Sequence, residues 1–342
     1  MSPIPNVVKR SLTGIRASGD VHLGNYLGMI RPALEYQNKF QCLYFIADLH
    51  ALTTNKNPAL LRQNTLDIAA TWLALGLDHK KHLIYKQSDV PMVTEFSWYL
   101  SVCTGMGLLE KGHSYKDASA TDREVNHGVF AYPVLMAADI MMYDADQVPV
   151  GKDQKQHVEM ARDMAGSFNA LYGNGQDIIK LPVPVIKEEV MLIPGLDGRK
   201  MSKSYDNYIP LFCDEKILRK KIMSIRTDST DVAASKTLKD TLIGQIYALF
   251  GSPTQYADLE KRLNQGGLGW GHAKEELFDV INSEVSEPRR RFNEFKQDIR
   301  YLAQVLDEGA GKAHEIALPV LNRVRQAVGV GARHCSGSSK CN

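Results

Sequence analysis

The sequence predicts an α/β fold: a parallel sheet with helices on both faces, plus an appended α-helical domain. Three observations carry this. Short β-type runs alternate with helical runs over the first half of the chain, an order that needs crossover helices and buries a parallel sheet. A turn containing two glycines, Ser18–Asn25 (SGDVHLGN), joins the first strand to a helix. After Ser204 the pattern changes, and helical periodicity dominates from Asp214 to Ala327. There is no internal repeat.

In chain order, Val7–Ile15, Cys42–Asp48 and His82–Lys86 read as strands, and Tyr26–Lys39 and Pro58–Leu77 as the helices between them. Asn57-Pro58 is a good helix start, with Pro at the first helical position. Pro32 predicts a kink or an early end in the first helix. Val93–Gly105 reads as an apolar helix, and Glu110–Asn126 as a polar loop suited to an active site or interface. Tyr132–Tyr143 is an apolar helical stretch interrupted by Asp139. Val148–Val150 leads through Gly151–Gln154 into a helix reaching Phe168, and Leu181–Ile186 is extended. Gly195–Gly198 is a flexible lead into Lys200–Ser204. The helical domain has breaks near Thr227–Ser235, Gly251–Pro253 and Gly266–Gly271.

The 342 residues suffice for two domains, and 44% apolar with 23% charged residues is ordinary for a soluble globular chain. No apolar run is long enough to span a bilayer, and Met1–Arg10 has no apolar core of a secretory signal. A cytoplasmic protein with no membrane contact is expected. Cys42, Cys103 and Cys213 are isolated and read as reduced thiols, and Cys335 and Cys341 lie in a Gly/Ser-rich tail. No zinc spacing and no Ser/His/Asp order is present, so no protein-bound metal and no protein nucleophile are expected. A net charge of +2 does not mark a nucleic-acid binder, so such a role must rest on local patches.

Two motifs and one residue point to chemistry. In Ser18–Asn25, Gly19 and Gly24 let the backbone turn and admit a flat ligand, while His22 and Asn25 supply side-chain donors near a helix start. That suits the phosphates of a nucleotide. Alone the turn is weak evidence. It gains force from Lys200-Met201-Ser202-Lys203-Ser204, a cationic loop that could close over a polyphosphate and neutralise charge as a P–O bond breaks. Asp139 sits in the otherwise apolar run Val134–Met142. A buried carboxylate is costly without a partner. It belongs either to an ion pair inside the fold or to a ligand's N–H.

His22–Asn25 (HLGN) and Lys200–Ser204 (KMSKS) resemble the HIGH and KMSKS motifs of class I aminoacyl-tRNA synthetases. Tyr132-Pro133, Leu135–Ile140 (LMAADI) and Val148–His157 (VPVGKDQKQH) are similar to the tryptophanyl-tRNA synthetase family. The resemblance runs in order from Leu12 to Val328. It implies a Rossmann-type catalytic domain over residues 1–206, with dimer-interface residues near 105–150, and a helical tRNA anticodon-binding domain over 207–310. A C-terminal helix at 311–330 would pack back on the catalytic domain, ahead of a flexible tail at 331–342. The partners implied are L-tryptophan, tRNA(Trp) and a second copy in a homodimer, with ATP and Mg²⁺ as co-substrate.

By the same resemblance, His22, Asn25, Lys200, Ser202 and Lys203 are catalytic. The nucleotide site adds Arg16, Ala17, Ser18, Gly24, Gly151, Lys152, Asp153, Met201, Ser204 and, at the adenine, Val190 or Met191. Asp139 receives the indole nitrogen, which explains selectivity, because phenylalanine would leave the carboxylate unpaired. Met136, Val148, Val150, Leu12, Gly14 and His50 line the indole slot, and Tyr132 and Gln154 meet the ammonium group. Two basic clusters, Lys216/Arg219/Lys220/Arg226 and Arg289/Arg290/Arg291/Lys296, suit tRNA phosphates or merely solvated faces.

The chain departs from the common bacterial pattern at Arg16 and Ser114, each in place of a glutamine, at Ala118 in place of a lysine, and at Lys152 in place of a glutamate. It resembles the divergent second form some bacteria carry, and either Lys152 takes over at least part of the missing lysine's task or it points to solvent and Arg16 or Mg²⁺ compensates. A tyrosine-specific enzyme, a nucleotidyltransferase and a non-charging tryptophan or tRNA sensor are the alternatives.

Overall fold

The computed structural model describes residues 9–112, 126–150, 155–186 and 193–330. The central sheet is parallel. Strands β1 (Arg10–Arg16), β2 (Gln41–Ala47) and β3 (Leu83–Lys86) pair in that order, with Leu12 opposite Leu43 and Leu43 opposite Leu83. Strands β4 (Val148–Val150) and β5 (Pro184–Ile186) form a second parallel pair. A single parallel bridge, Ser11 to Gln147, with Leu12 N–H donating to the Gln147 carbonyl at 3.1 Å, carries the sheet across to β4. The spatial order is therefore 3-2-1-4-5, the doubly wound pattern, and the chain reverses direction of winding between β1 and β4. Ligands in such sheets bind at the carboxyl ends of the strands, at that reversal.

The helices α1 (Leu23–Asn25) and α2 (Arg31–Glu35) follow β1, separated by a π-helical turn, Tyr26–Ile30. The helical run expected over Tyr26–Lys39, kinked or ended early by Pro32, is present as these segments and begins three residues sooner, at Leu23. Pro32 has no N–H to donate and its ring crowds the carbonyl four residues back. The backbone widens one turn earlier, where Arg31 N–H reaches the Tyr26 carbonyl. After β2 come α3 (Asp48–Ala51) and α4 (Pro58–Ala74), the latter capped by Asn57 Oδ1, which accepts from Ala59 and Leu60 N–H at 3.0 and 3.1 Å. The expected helix over Val93–Gly105 is α5 (Met92–Ser101), which ends four residues early, and a short α6 (Met106–Leu109) follows it. Then follow α7 (His127–Met141), which starts five residues before Tyr132 under an Asn126 cap, and α8 (Lys155–Tyr172).

Beyond the Lys200–Ser204 loop the chain is helical: α9 (Glu215–Met223), α10 (Leu242–Phe250), α11 (Pro253–Asn264), α12 (Trp270–Gln297) and α13 (Ile299–Ala327). Helix α13 runs without a break through residue 310 and lies on β3. A Cβ on Gly309 would sit 1.9 Å from the Ile84 carbonyl, so only glycine allows this approach. Arg325 forks onto the Glu95 carboxylate at 2.7 and 2.6 Å and ties the helix end to α5.

The second basic cluster, read as suiting tRNA phosphates or merely a solvated face, is engaged within the fold. Arg289 is buried and donates to Asn282 at 3.0 Å, and Arg290 is paired with Glu287 and Glu294. Arg291 donates to the Ala74 carbonyl at the end of α4, and Lys296 pairs with Asp67 at 3.0 Å. Cys42 is buried, and Cys103 and Cys213 are half-buried thiols.

Candidate active site

The turn after β1 is built from local backbone chemistry. Ala17 is fully buried and Ser18 N–H folds back to the Arg16 carbonyl at 2.8 Å. Gly19 then adopts φ +96°, a conformation side chains disfavour, and reverses the chain. His22 is the N-cap of α1 in a reciprocal box: its Nδ1 accepts from Asn25 N–H at 3.3 Å, and Asn25 Oδ1 accepts from His22 N–H at 3.2 Å. The box uses Nδ1 and Oδ1, so the donors left to the pair are His22 Nε2–H and Asn25 Nδ2. Burial first, and then the charges of Lys203 and Lys200, push the His22 pKa down to about 4. The ring is neutral at pH 7 and acts as a hydrogen-bond donor, not as a cation.

The lysine loop docks on this turn. Residues 209–211 run antiparallel to 21–23, with Leu23 N–H donating to the Ile209 carbonyl at 2.9 Å and Leu211 N–H to the Val21 carbonyl at 2.8 Å. Met201 is buried, and its Sδ accepts from Gly24 N–H at 3.3 Å. Lys203 Nζ donates to the Ser18 carbonyl at 3.0 Å. Burial lowers the Lys203 pKa, and Asp20 opposes the fall. Ser202 Oγ caps the short turn that follows by accepting from Ser204 N–H, and Lys200 is exposed. The two sequence motifs, some 180 residues apart, thus form one cleft of about 190 Å³ lined by Gly14, Arg16, Ser18, Asp20, Asn25 and Lys203. Arg16 spends one guanidinium nitrogen on the His50 carbonyl at 2.9 Å and on Thr53. A wider cleft near Arg10, Lys180 and Arg323 holds charges paired to one another, Lys180 with Asp146 at 2.7 Å and Arg323 with Asp144 at 2.8 Å.

A second group of residues gathers beside the cleft of the two motifs, near the carboxyl ends of β2 and β3. Tyr132, Met136 and Asp139 stand four and three residues apart on one face of α7. Leu12 and Gly14 alternate along β1, as Val148 and Val150 do along β4. Leu12 and Val148 are buried in one cluster with Val134, Ala137 and Ala138, against which Met136 and Val150 pack half-buried. Asp139 is 3% exposed. Its Oδ2 lies 2.9 Å from His50 Nε2, and Gln87 Nε2 donates to both of its oxygens. Burial raises the Asp139 pKa, while the hydrogen bonds from His50 and Gln87 oppose the rise. Tyr132 Oη is 2.9 Å from His157 Nε2, and its ring meets His50 edge-on.

Sequence reasoning missed Gln87, His157 and Asn207. Gln87 directly follows β3, and a polar residue at the carboxyl end of a sheet strand is a signal that could have found it. Gly151, Lys152, Asp153, Gln154, Val190, Met191, Ser114 and Ala118 lie outside the described residues. Among the described residues no three His, Cys, Asp or Glu side chains come together in a group able to hold a metal ion.

With this geometry in view, comparison with known proteins is direct. Residues 7–286 match the family model for tRNA synthetases class I (W and Y). A tryptophan–tRNA ligase of Fusobacterium nucleatum is 45% identical over 323 residues, covering 94% of this chain and 98% of the relative. The tryptophanyl-tRNA synthetase of Campylobacter jejuni, solved with ADP and tryptophan, superposes with a TM-score of 0.89 at 44% identity, covering 94% of this chain and 99% of that one. The tyrosyl-tRNA synthetase of Archaeoglobus fulgidus, at 19% identity and a TM-score of 0.61 over 83% of this chain and 90% of that one, shares the fold.

Proposed function

Because the chain belongs to the tryptophan–tRNA ligases among the class I tRNA synthetases, we propose that it activates L-tryptophan with ATP and charges tRNA(Trp). A tryptophan carboxylate oxygen attacks the α-phosphorus of ATP, the bond from that phosphorus to the bridging oxygen breaks, and pyrophosphate leaves. The 2′-hydroxyl of the terminal tRNA adenosine then attacks the acyl carbon, and AMP departs. Chemistry of this kind needs positioning and charge stabilisation and no protein nucleophile.

The observation that carries the reading is the docking of the Lys200–Ser204 loop on His22–Asn25 at the carboxyl end of β1. In this proposal His22 Nε2–H and Asn25 Nδ2 hold the phosphates, and Lys200 and Lys203 stabilise the departing pyrophosphate, with Ser202 shaping the loop. Arg16, Ala17, Ser18, Gly24, Met201 and Ser204 border the nucleotide. Mg²⁺ is proposed to be carried in on the ATP phosphates. Asp139 accepts the indole N–H, in a slot bordered by Leu12, Gly14, His50, Met136, Val148 and Val150, and Tyr132 meets the ammonium group. A carboxylate has about four acceptor positions, so three contacts from His50 and Gln87 leave room for one more donor.

The helices over 207–310 are proposed to bind tRNA, and the cytoplasm is the proposed location because charging serves translation there. A homodimer is supported by three exposed apolar side chains close in sequence, Trp98 in α5, Val102 just after it and Met106 at the start of α6, which are 66%, 58% and 62% exposed. A monomeric mass in light scattering would overturn that part. The test of the activity is amino-acid-dependent pyrophosphate exchange with all the standard amino acids. Tryptophan alone should support exchange. Exchange with tyrosine, or with none, would refute the reading.

A further inference from the structure

The Lys200–Ser204 loop takes its shape from a residue outside the motif. Asn207 is 3% exposed. Its Oδ1 accepts from Ser202 N–H at 2.8 Å, and its Nδ2 donates to the Lys200 carbonyl at 3.1 Å and to Asp197 Oδ1 at 2.7 Å. Its own carbonyl accepts from Leu196 N–H at 2.9 Å. One buried side chain therefore ties the backbone on both sides of Met201 to the lead of the loop. Only an amide of this length fits, since the site needs one acceptor facing an N–H and donors facing a carbonyl and a carboxylate. Asp197 is in turn bonded by Arg199, through N–H at 3.1 Å and Nε at 2.7 Å. The Asn207 amide, foremost, and the Arg199 bonds bring the Asp197 pKa down to about 2 although burial opposes them.

We propose that Asn207 is a positioning residue for adenylate formation, which fixes Lys200 and Lys203 relative to each other through the Lys200 carbonyl and the Ser202 amide. This rests on the reading that the two lysines act on the phosphates of ATP. Lys203 already spans back to Ser18, so a loop that loses its clasp lets this ammonium group drift from the cleft. Displacements of ~1 Å at such groups are enough to cost rate. None of the residues proposed to line the tryptophan slot is hydrogen-bonded to the Asn207 side chain.

The test is a double-mutant cycle on the full-length enzyme, read as the single-turnover rate of tryptophanyl-adenylate formation, with tryptophan Kd by calorimetry. Asn207→Asp keeps the acceptor but loses both donations and faces the Asp197 carboxylate. Asn207→Ala, which brings no charge near Asp197, is run beside it in case the first does not fold. Either variant should slow the rate by about ten- to a hundredfold while tryptophan Kd stays within about twofold. In a Lys200→Ala/Lys203→Ala background the same change should cost less than about threefold, because there is no longer a cation to place. Equal losses in both backgrounds, or a rate loss matched by lost tryptophan affinity, would make Asn207 a general fold contact and overturn the inference. A rate that depends on the lysines but not on Asn207 overturns the inference alone. A rate indifferent to the lysines removes the underlying reading and the inference with it.

Discussion

Gln87 Nε2 donates to Asp139 Oδ1 at 2.9 Å and to Oδ2 at 2.8 Å, while Gln87 Oε1 faces His50 N–H at 3.4 Å. The amide is thereby oriented at both ends, and it holds a carboxylate that burial would otherwise push toward its neutral form. A fixed acceptor in an apolar wall can distinguish indole, which has an N–H, from a phenyl ring, which has none. Leaving that acceptor unpaired costs the wrong ligand about 1–3 kcal/mol or more.

Asp139→Asn should therefore lower kcat/KM for tryptophan by about a hundredfold or more and leave ATP KM within about twofold. One of the two acceptor oxygens becomes an amide donor opposed to Gln87 Nε2 or His50 Nε2, and the charge-assisted bonds are lost. Gln87→Ala should act in the same direction and more weakly. It frees the carboxylate without removing it. Pyrophosphate exchange at varied tryptophan checks both, and an unchanged tryptophan KM and kcat in Asp139→Asn would take this residue out of the site.

The His22 imidazole should titrate with a midpoint near 4, against the usual 6.5. Its pKa is lowered on folding, so the neutral ring stabilises the fold above pH 6.5, and this contribution is lost as pH falls from 6.5 through 4. Lys203→Ala should raise the midpoint but leave it below 6.5, because burial is the largest cause and Lys203 the second. NMR of the ring protons gives both values. A wild-type midpoint at or above 6 would mean that the ring is solvated and that His22 approaches the phosphates as a cation.

What was legible in the sequence follows from the range of the forces involved. β1 to β3 were readable because their apolar runs bury against helices on both faces, and α4 because Asn57 and Pro58 act within one turn. The π-helical turn at Tyr26–Ile30 was not, because Pro32 says only that a bond is missing, not where the backbone will absorb the loss. The cleft itself was half legible. His22, Asn25 and Lys203 announce themselves by type and spacing, whereas Asn207 and Gln87 matter through partners set by tertiary packing. The Arg289–Arg291 run stayed ambiguous for the same reason. Its charges are visible in sequence, but the Ala74 carbonyl that receives Arg291 lies 217 residues away.

That contrast separates the two basic clusters by experiment. On α9, Lys216 and Lys220 are exposed, whereas Arg219 is held by Glu275 at 2.6 Å. If α9 meets tRNA phosphates, the lysines do so at no cost of a broken pair. Lys216→Glu with Lys220→Glu should raise the tRNA KM by about tenfold at moderate salt and flatten its salt dependence. Exchange measured without tRNA should stay within about twofold, since neither lysine borders the cleft. Arg291→Ala should behave oppositely. It strips a charged donor from the Ala74 carbonyl and the contact between α12 and α4. The expected loss is about 1–3 kcal/mol of stability, measured by urea denaturation, with tRNA KM nearly unchanged. Loss of tRNA affinity at full stability in Arg291→Ala would return that cluster to the RNA-binding face. The same result for the lysine pair, with exchange falling in step with charging, would place α9 in the catalytic machinery instead.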